Sequence, residues 1–525
     1  MARLELEALS RNASLSSLGA SASAALADPA SVALPLALAA GTVFALYLAV
    51  RPARKRIPGP KGWPLIGNLF DWPSHYQAET MQVWQKAYGP VTQLSIIGKE
   101  ILFLTSARAI SELFAKRAST FSDRPKLIFS EELCGMHVLH PMTQFGADFK
   151  DQRKFMKEVL APEVLRNHEA LLDDEGRRLL RSILATPNEC DRHLRRFSSS
   201  LSLRMVYGFE ALEIDDPHVL LAEEMMQLAE YAVIGGWLVD FFPSLKHLPR
   251  WFPGASFQKR ADYYRAKITE MISLPWNEVR EKLITGTTSP DSFCAVNMRK
   301  YDDGATPRTE GLIKATATAI YGGASDTTAS AAWSFMLAMV RHPEVQAKAQ
   351  AEIDAVIGRG RLPRMGDKND LPYLTQVVWE VFRWAPPVPV TLPHRNRVQD
   401  DFDGYIIPKD TTMVASLYSI TRDEEFHAAP DEFDPDRYND GKERVPYYVF
   451  GYGHRRCPGA DMAFAQLFHQ AAYIISCFTL APLKDTAGTP LYPPARWAGE
   501  MVRKPEPFGY TIKPRYEGVE ALFRE

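Results

Sequence analysis

The stretch FGYGHRRCPG, Phe450 to Gly459, sets a single cysteine, Cys457, among glycines 451, 453 and 459. Glycines let a backbone fold closely around a flat object. Cys457 also stands just ahead of a run, Gly459 to Phe478, that reads as a helix, and a helix start favours an anion. Arg455 and Arg456 add positive charge beside it. Each factor lowers a thiol pKa and favours the thiolate, the form that ligates metal. A lone cysteine is more often a small core residue; glycines, arginines and a helix start together point instead to a ligand. Thiolate ligation of haem iron is one such chemistry, and it pushes electron density toward O–O cleavage.

A second constellation is Gly322-Gly323-Ala324-Ser325-Asp326-Thr327-Thr328, inside a long apolar run from Gly311 to Val340 whose only charges are Lys314 and Asp326. A glycine inside a helix costs about 1 kcal/mol relative to alanine. Small residues in mid-helix therefore suggest close approach by another group, here an oxygen pocket. A buried acid is expensive unless it is hydrogen-bonded or useful. Thr327 would hold a water by a hydrogen bond and Asp326 would feed protons from solvent. The bland alternative is a satisfied helix kink. Third, Glu380 and Arg383 lie three apart on one helix face and can pair. ExxR alone is weak, and the plain reading is a surface pair worth less than about 1 kcal/mol.

Phe450, Gly453, Arg455, Cys457 and Gly459 match F-x-x-G-x-R-x-C-x-G. That pattern resembles the haem-binding signature of the cytochrome P450 family. The Gly322–Thr328 stretch resembles the family's (A/G)-G-x-(D/E)-T-T element, with Ala324 where a second glycine is usual. Glu380 and Arg383, followed by Pro435-Asp436-Arg437-Tyr438, resemble its ExxR and P-x-R-F elements, with Tyr for Phe. The resemblance implies the family's fold, mainly α with small β-sheets around haem b (iron protoporphyrin IX). It implies that Cys457 ligates iron, that Arg455 pairs with a haem propionate and that Phe450 and Gly451 lie near the thiolate. Glu380, Arg383 and Arg437 would lock the cysteine loop in a buried network. Phe149-Lys150-Asp151-Gln152-Arg153 resembles a W-x-x-x-R helix in which Phe149 replaces Trp, and Arg153 would reach a propionate. Arg395 is the expected second propionate ligand, Arg397 its competitor, and His394 a packing residue. YGGASDTT, PSLKHLPRWFPGA and FGYGHRRCPGA look like fungal microsomal members.

The implied reaction inserts one oxygen atom from dioxygen into an apolar substrate. Pro458 to Glu525 is too short for a flavin domain, so electrons are expected from NADPH through a separate NADPH-cytochrome reductase, with cytochrome b5 as a further donor. A haem-thiolate isomerase or dehydratase that does not use dioxygen, and a haem-binding sensor or carrier, are the rivals. Asp326 and Thr327 would be idle in either. The pocket would draw on Leu133 to Gln144, Thr316 to Gly323, Val388 to Leu392 and Trp497 to Val502, which suits a lipophilic secondary metabolite such as a terpenoid.

These residues need a large core to hold them, and the composition allows it. The chain has 525 residues, 46% hydrophobic and 24% charged. A net charge of -2 excludes the basic excess of a nucleic-acid binder. The 5 cysteines are scattered with no CxxC pair, so neither a zinc site nor a disulfide framework is indicated. Residues 30–50 carry no charge and suffice to cross a bilayer as a helix. Arg51, Arg54, Lys55 and Arg56 follow and favour the cytosolic side. The expected layout is a luminal tail at 1–29 carrying the sequon Asn12-Ala13-Ser14, a single-pass endoplasmic reticulum anchor at 30–50, a proline-rich hinge at 51–68 and a cytosolic catalytic domain at 69–525. A signal peptide is the alternative for the apolar run. Thr92 to Ser106 reads as a hairpin turning at Gly98-Lys99, and Asp370 to Trp384 as a helix with Pro372 in its first turn. Leu248 to Phe257 is either a core loop or a second membrane contact.

Overall fold

The computed structural model describes residue 42 and residues 57–524, apart from 74, 213–215, 235, 302–303 and 305. The expected luminal tail, the anchor (residue 42 aside) and residues 51–56 lie outside the described residues. Among the described residues no helix is long and apolar enough to cross a membrane. Contacts divide the chain into Ile57–Asp400 with Ile407–Glu525, and Met1–Arg56 with Asp401–Ile406. In the second unit the short 401–406 segment turns at Asp403 and Gly404, both at positive φ.

The first unit is mainly helical. Its principal helices are α1 (Gln77–Tyr88), α2 (Ala147–Leu160), α3 (Glu169–Ala185), α4 (Cys190–Tyr207), α5 (Pro217–Ile234), α6 (Ser256–Thr285), α7 (Pro307–Arg341), α8 (Pro343–Val356), α9 (Pro372–Trp384) and α10 (Ala460–Cys477). The central element is α7. Thr306 caps its start by accepting from the Thr309 N–H at 3.2 Å, and Pro307 occupies the first turn, where a missing N–H costs nothing. Every residue from Thr328 to Val340 is buried, as expected of a helix apolar on all sides. It packs against α2, α4, α9 and α10.

Helix α9 begins at Pro372, two residues later than expected. Glu352 on α8 closes its open end by accepting from the Tyr373 and Leu374 N–H groups at 2.8 and 2.9 Å. The expected hairpin is β1 (Val91–Ile96) paired antiparallel with β2 (Lys99–Leu104). Its turn residues, Ile97 and Gly98, both have positive φ (49° and 78°), the geometry of a tight two-residue turn. β3 (His394–Arg395) and β4 (Thr412–Ala415) complete a four-stranded sheet in the order β1-β2-β4-β3, with β2 and β4 parallel.

The described part of the expected hinge, residues 57–68, lies along β1. Gln93 donates its N–H to the Pro58 carbonyl at 2.9 Å, and Ser95 and Asn68 exchange bonds of 2.7 and 2.9 Å. The prolines forbid helix there, as expected, and the extended chain fastens to the sheet edge. In Leu248–Phe257 the core-loop reading does not hold for the tip: Trp251 is 80% exposed and Phe252 45%.

Candidate active site

The cysteine loop is built from backbone upward. A short turn, Tyr447–Phe450, leads into it, and the Gly451 N–H donates to the Tyr448 carbonyl at 2.9 Å. At Gly453 the chain has φ of 59°, and a Cβ would stand 1.9 Å from the Phe114 carbonyl oxygen, so only glycine fits. Cys457 closes the loop by donating its N–H to the Phe450 carbonyl at 2.8 Å. Phe450 is half-buried and packs on Phe382 of α9, ring centroids 5.1 Å apart. The Cys457 side chain is accessible although protein surrounds its thiol closely.

Burial pushes the Cys457 thiol above its ordinary value, against the pull of the Gly459 N–H, Arg153 and Arg456. This corrects the expectation from sequence. The helix start and the arginines are present, but desolvation outweighs them. A bound metal cation would supply the missing drive toward thiolate.

Three guanidiniums gather beside the loop. Arg455 donates to the carbonyls of Ser122 at 2.8 Å and Thr143 at 2.6 Å and lies over the Phe149 ring. Arg153 on α2 donates to the Arg456 carbonyl at 2.8 Å. Arg124, buried, donates to the carbonyls of Pro141, Leu392 and Pro393. Among the described residues none of the three is paired with a carboxylate. Burial, with repulsion from Arg455, holds Arg124 well below the ordinary guanidinium range, and burial, with Arg153 and Arg397 and against the pull of Asp123, brings Arg455 to about 10. Burial lowers Arg153 as well. His140, stacked on Phe149 at 4.6 Å, is lowered to about 3 by burial, Arg153 and Arg455. Such a cluster suits a ligand bearing carboxylates.

Arg395 is placed differently. It donates to Asp123 at 2.7 Å, to Asp410 at 2.5 Å and to the Arg124 carbonyl at 3.0 Å. Arg397 shares Asp123 at 3.1 Å. Arg395 thus braces Arg124 and has two carboxylates of its own, while Arg124 stands in the cluster. Sequence reasoning passed over Arg124, because a lone arginine in FSDRPK carries no spacing signal. His394 packs as expected, stacked on Phe114 at 3.9 Å with Nδ1 on the Phe121 carbonyl.

The ExxR pair is not a surface pair. Glu380 and Arg383 are fully buried and meet through two bonds of 2.7 and 2.8 Å. Arg437 adds a bond to Glu380 at 3.1 Å, the Asp434 N–H one at 2.9 Å and the Tyr438 hydroxyl another at 2.9 Å. Arg383 also donates to the carbonyls of Thr421, Pro430 and Glu432. Every charge is satisfied, the condition for a buried ion pair to hold.

On α7, Gly323 is exposed although the helix around it is largely buried, and a Cβ there would meet nothing within 4 Å. The helix runs through unbroken. Thr327 donates its hydroxyl to the Gly323 carbonyl at 2.7 Å, and Ser325 to that of Tyr321 at 2.8 Å. Donation into the helix leaves the Thr327 oxygen free to accept. Asp326 is partly buried beside it.

Among the described residues no group of three or more His, Cys, Asp or Glu could hold a metal ion. One accessible thiol beside a carboxylate-seeking arginine cluster fits iron carried in a macrocycle that brings its own nitrogens and propionates.

A family model described as Cytochrome P450 matches residues 57–512. The chain is 36% identical over 493 residues to cytochrome P450 monooxygenase claT of Ampulloclitocybe clavipes, covering 91% of this chain and 96% of that protein. It is 34% identical to cytochrome P450 monooxygenase 208 of Postia placenta, covering 91% and 94%. It is also 34% identical to tryptamine 4-monooxygenase of Psilocybe cyanescens, covering 89% and 95%. With the cysteine loop, the buried ExxR network and these matches in agreement, the chain belongs to the cytochrome P450 family and is a haem-thiolate monooxygenase.

Proposed function

We propose that this enzyme oxygenates a lipophilic secondary metabolite, with Cys457 as the axial iron ligand. The observation that carries the ligand assignment is Cys457 itself: accessible, held by its own loop and flanked by Arg124, Arg153 and Arg455. Those three would hold the haem propionates, with Arg395 bracing Arg124. When bound, the haem supplies dioxygen activation, with electrons from NADPH through a separate flavin reductase. The chain's own residues then manage protons and orientation. The Thr327 oxygen accepts a hydrogen bond from water in the space beside Gly323, and Asp326 relays protons to it.

The apolar segments read from the sequence favour a terpenoid. The name of the Psilocybe relative favours a second class, an indole amine such as tryptamine. Incubating the membrane-bound enzyme with reductase, NADPH and members of each class, and comparing metabolites with and without the gene, decides between them. We place the chain in the endoplasmic reticulum membrane through residues 30–50, with the catalytic domain cytosolic, where NADPH-cytochrome reductase and cytochrome b5 can reach it.

Changing Cys457 to Ala should abolish the long-wavelength band that thiolate haem shows when reduced and bound to carbon monoxide. Changing Cys134 or Cys190, both buried away from the loop, should preserve it. A long-wavelength band surviving in Cys457→Ala overturns the ligand assignment.

A further inference from the structure

We propose that His427 is a positioning residue for the cysteine loop, acting through Tyr448 and anchored by Glu443. The inference rests on Cys457 being the iron ligand.

The His427 ring is buried, and both nitrogens are used: Nδ1 meets Glu443 Oε2 at 2.7 Å and Nε2 meets the Tyr448 hydroxyl at 2.7 Å. Chemistry assigns the directions. A carboxylate only accepts, so Nδ1–H donates to Glu443; Nε2 then accepts from the Tyr448 O–H. This needs a neutral ring, and burial holds the His427 pKa below its ordinary value although Glu443 opposes it.

The two ends of this link reach different parts of the fold. Glu443 also receives Arg437 at 3.2 Å and the Ala428 N–H at 3.0 Å, and Arg437 is bonded to Glu380. The buried network on α9 therefore extends through Arg437 and Glu443 to His427. At the other end, the Tyr448 carbonyl accepts the Gly451 N–H at the entrance of the cysteine loop, and Phe450, two residues on, accepts the Cys457 N–H. Among the described residues the hydrogen bonds of Glu380, Arg383 and Arg437 stop short of the loop, which α9 touches by packing, Phe382 on Phe450. The His427–Tyr448 bond carries their fixed position to the residue that starts it. A fully satisfied chain of this kind resists movement more than its separate bonds would.

The test uses the full-length holoenzyme, reduced and saturated with carbon monoxide, at constant pH and at a temperature well below unfolding. The measurement is the rate at which the long-wavelength band decays to the short-wavelength form. Tyr448→Phe removes one oxygen atom and leaves the ring in place. His427→Phe removes the other half of the link while Glu443 keeps Arg437 and the Ala428 N–H. Each should speed the decay about tenfold, the size expected for losing one buried hydrogen bond, with total haem content unchanged. The double variant should decay no faster than either single one, because both break the same link. A decay rate unmoved in Tyr448→Phe, even with a lowered melting temperature, overturns the proposal and leaves His427 a packing residue. Additive effects in the double variant overturn it too. Failure of the underlying ligand assignment shows separately, as a long-wavelength band that persists in Cys457→Ala.

Discussion

The Tyr438 hydroxyl donates to Glu380 Oε2 at 2.9 Å, and both residues are buried. The sequence pattern leads to a phenylalanine at this position, which would leave that carboxylate oxygen with one bond fewer. Tyr438→Phe should therefore cost about 1 kcal/mol in urea unfolding, the usual worth of such a bond. Glu380→Ala is of another order. It strands Arg383 as a buried charge and leaves Arg437 only Glu443 for a carboxylate partner, so a loss of about 3–5 kcal/mol and poor haem incorporation are expected. Equal stability of Tyr438→Phe and wild type would show that the hydroxyl adds nothing to the network.

Thr327 and Asp326 should separate by kinetics. Thr327→Ala removes the oxygen beside Gly323 and the bond into the helix, but leaves α7 in place. Haem binding should stay normal while peroxide released per NADPH consumed rises severalfold, because protons arrive badly placed. Asp326→Asn keeps the shape and removes the proposed proton relay, so turnover should fall about 10- to 100-fold with a smaller rise in peroxide. An unchanged peroxide ratio in Thr327→Ala would reduce Thr327 to a helix residue.

Much of this was legible because the chemistry sits in short segments. The glycines around Cys457 and the small residues at Gly322–Thr328 show in a window of ten residues, and the structure sets the first in a tight loop and the second in one unbroken helix. What stayed hidden depends on partners far apart in the chain. Arg124 matters because folding brings it beside Arg455, and His427 because Glu443 and Tyr448 close on it. Balance between opposing effects was hidden too. Arginines and a helix start beside Cys457 can be read off the sequence; the desolvation that outweighs them is set by the surrounding elements. Arg395 was legible as a cation near the site, but its two carboxylate partners were not.

Glu131 gives a dependence on pH. Burial pushes its carboxyl up to about 7 from an ordinary 4.5, and a 3.4 Å bond from Gln144 with Arg124 and Arg395 nearby only partly offsets this. Between those two values the folded protein holds the proton more tightly than the unfolded chain. The stability this group contributes is thus fully present below about 4.5 and is lost as pH rises through 7. Glu131→Gln is neutral throughout. It should be more stable than wild type by about 1–2 kcal/mol near pH 8, a figure reduced for the partly exposed edge, and should match wild type near pH 4.5. Urea midpoints at the two pH values check it. A difference of the same size at both would mean the carboxyl ionises without penalty.

The exposed tip of Leu248–Phe257 bears on attachment to the membrane. Trp251 is 80% exposed and Phe252 45%, with Arg250 beside them paired to Asp262 at 2.8 Å. Aromatic rings with a cation close by suit the boundary between lipid and water, where a ring can sink while the charge stays wet. Removing residues 1–50 should release much of the protein from microsomes and leave a fraction bound through this tip. Burying one such ring is worth about 1.5–3 kcal/mol. Trp251→Ser with Phe252→Ser in the truncated protein should therefore lower vesicle binding at least tenfold, while the same pair in the full-length chain should change little, because the proposed anchor at 30–50 would dominate. Protease added to intact microsomes tests orientation independently: it should digest the bulk of the chain and spare at most a short N-terminal fragment. Full-length protein surviving the protease reverses the orientation, and vesicle binding unchanged by the double substitution removes the tip from the membrane.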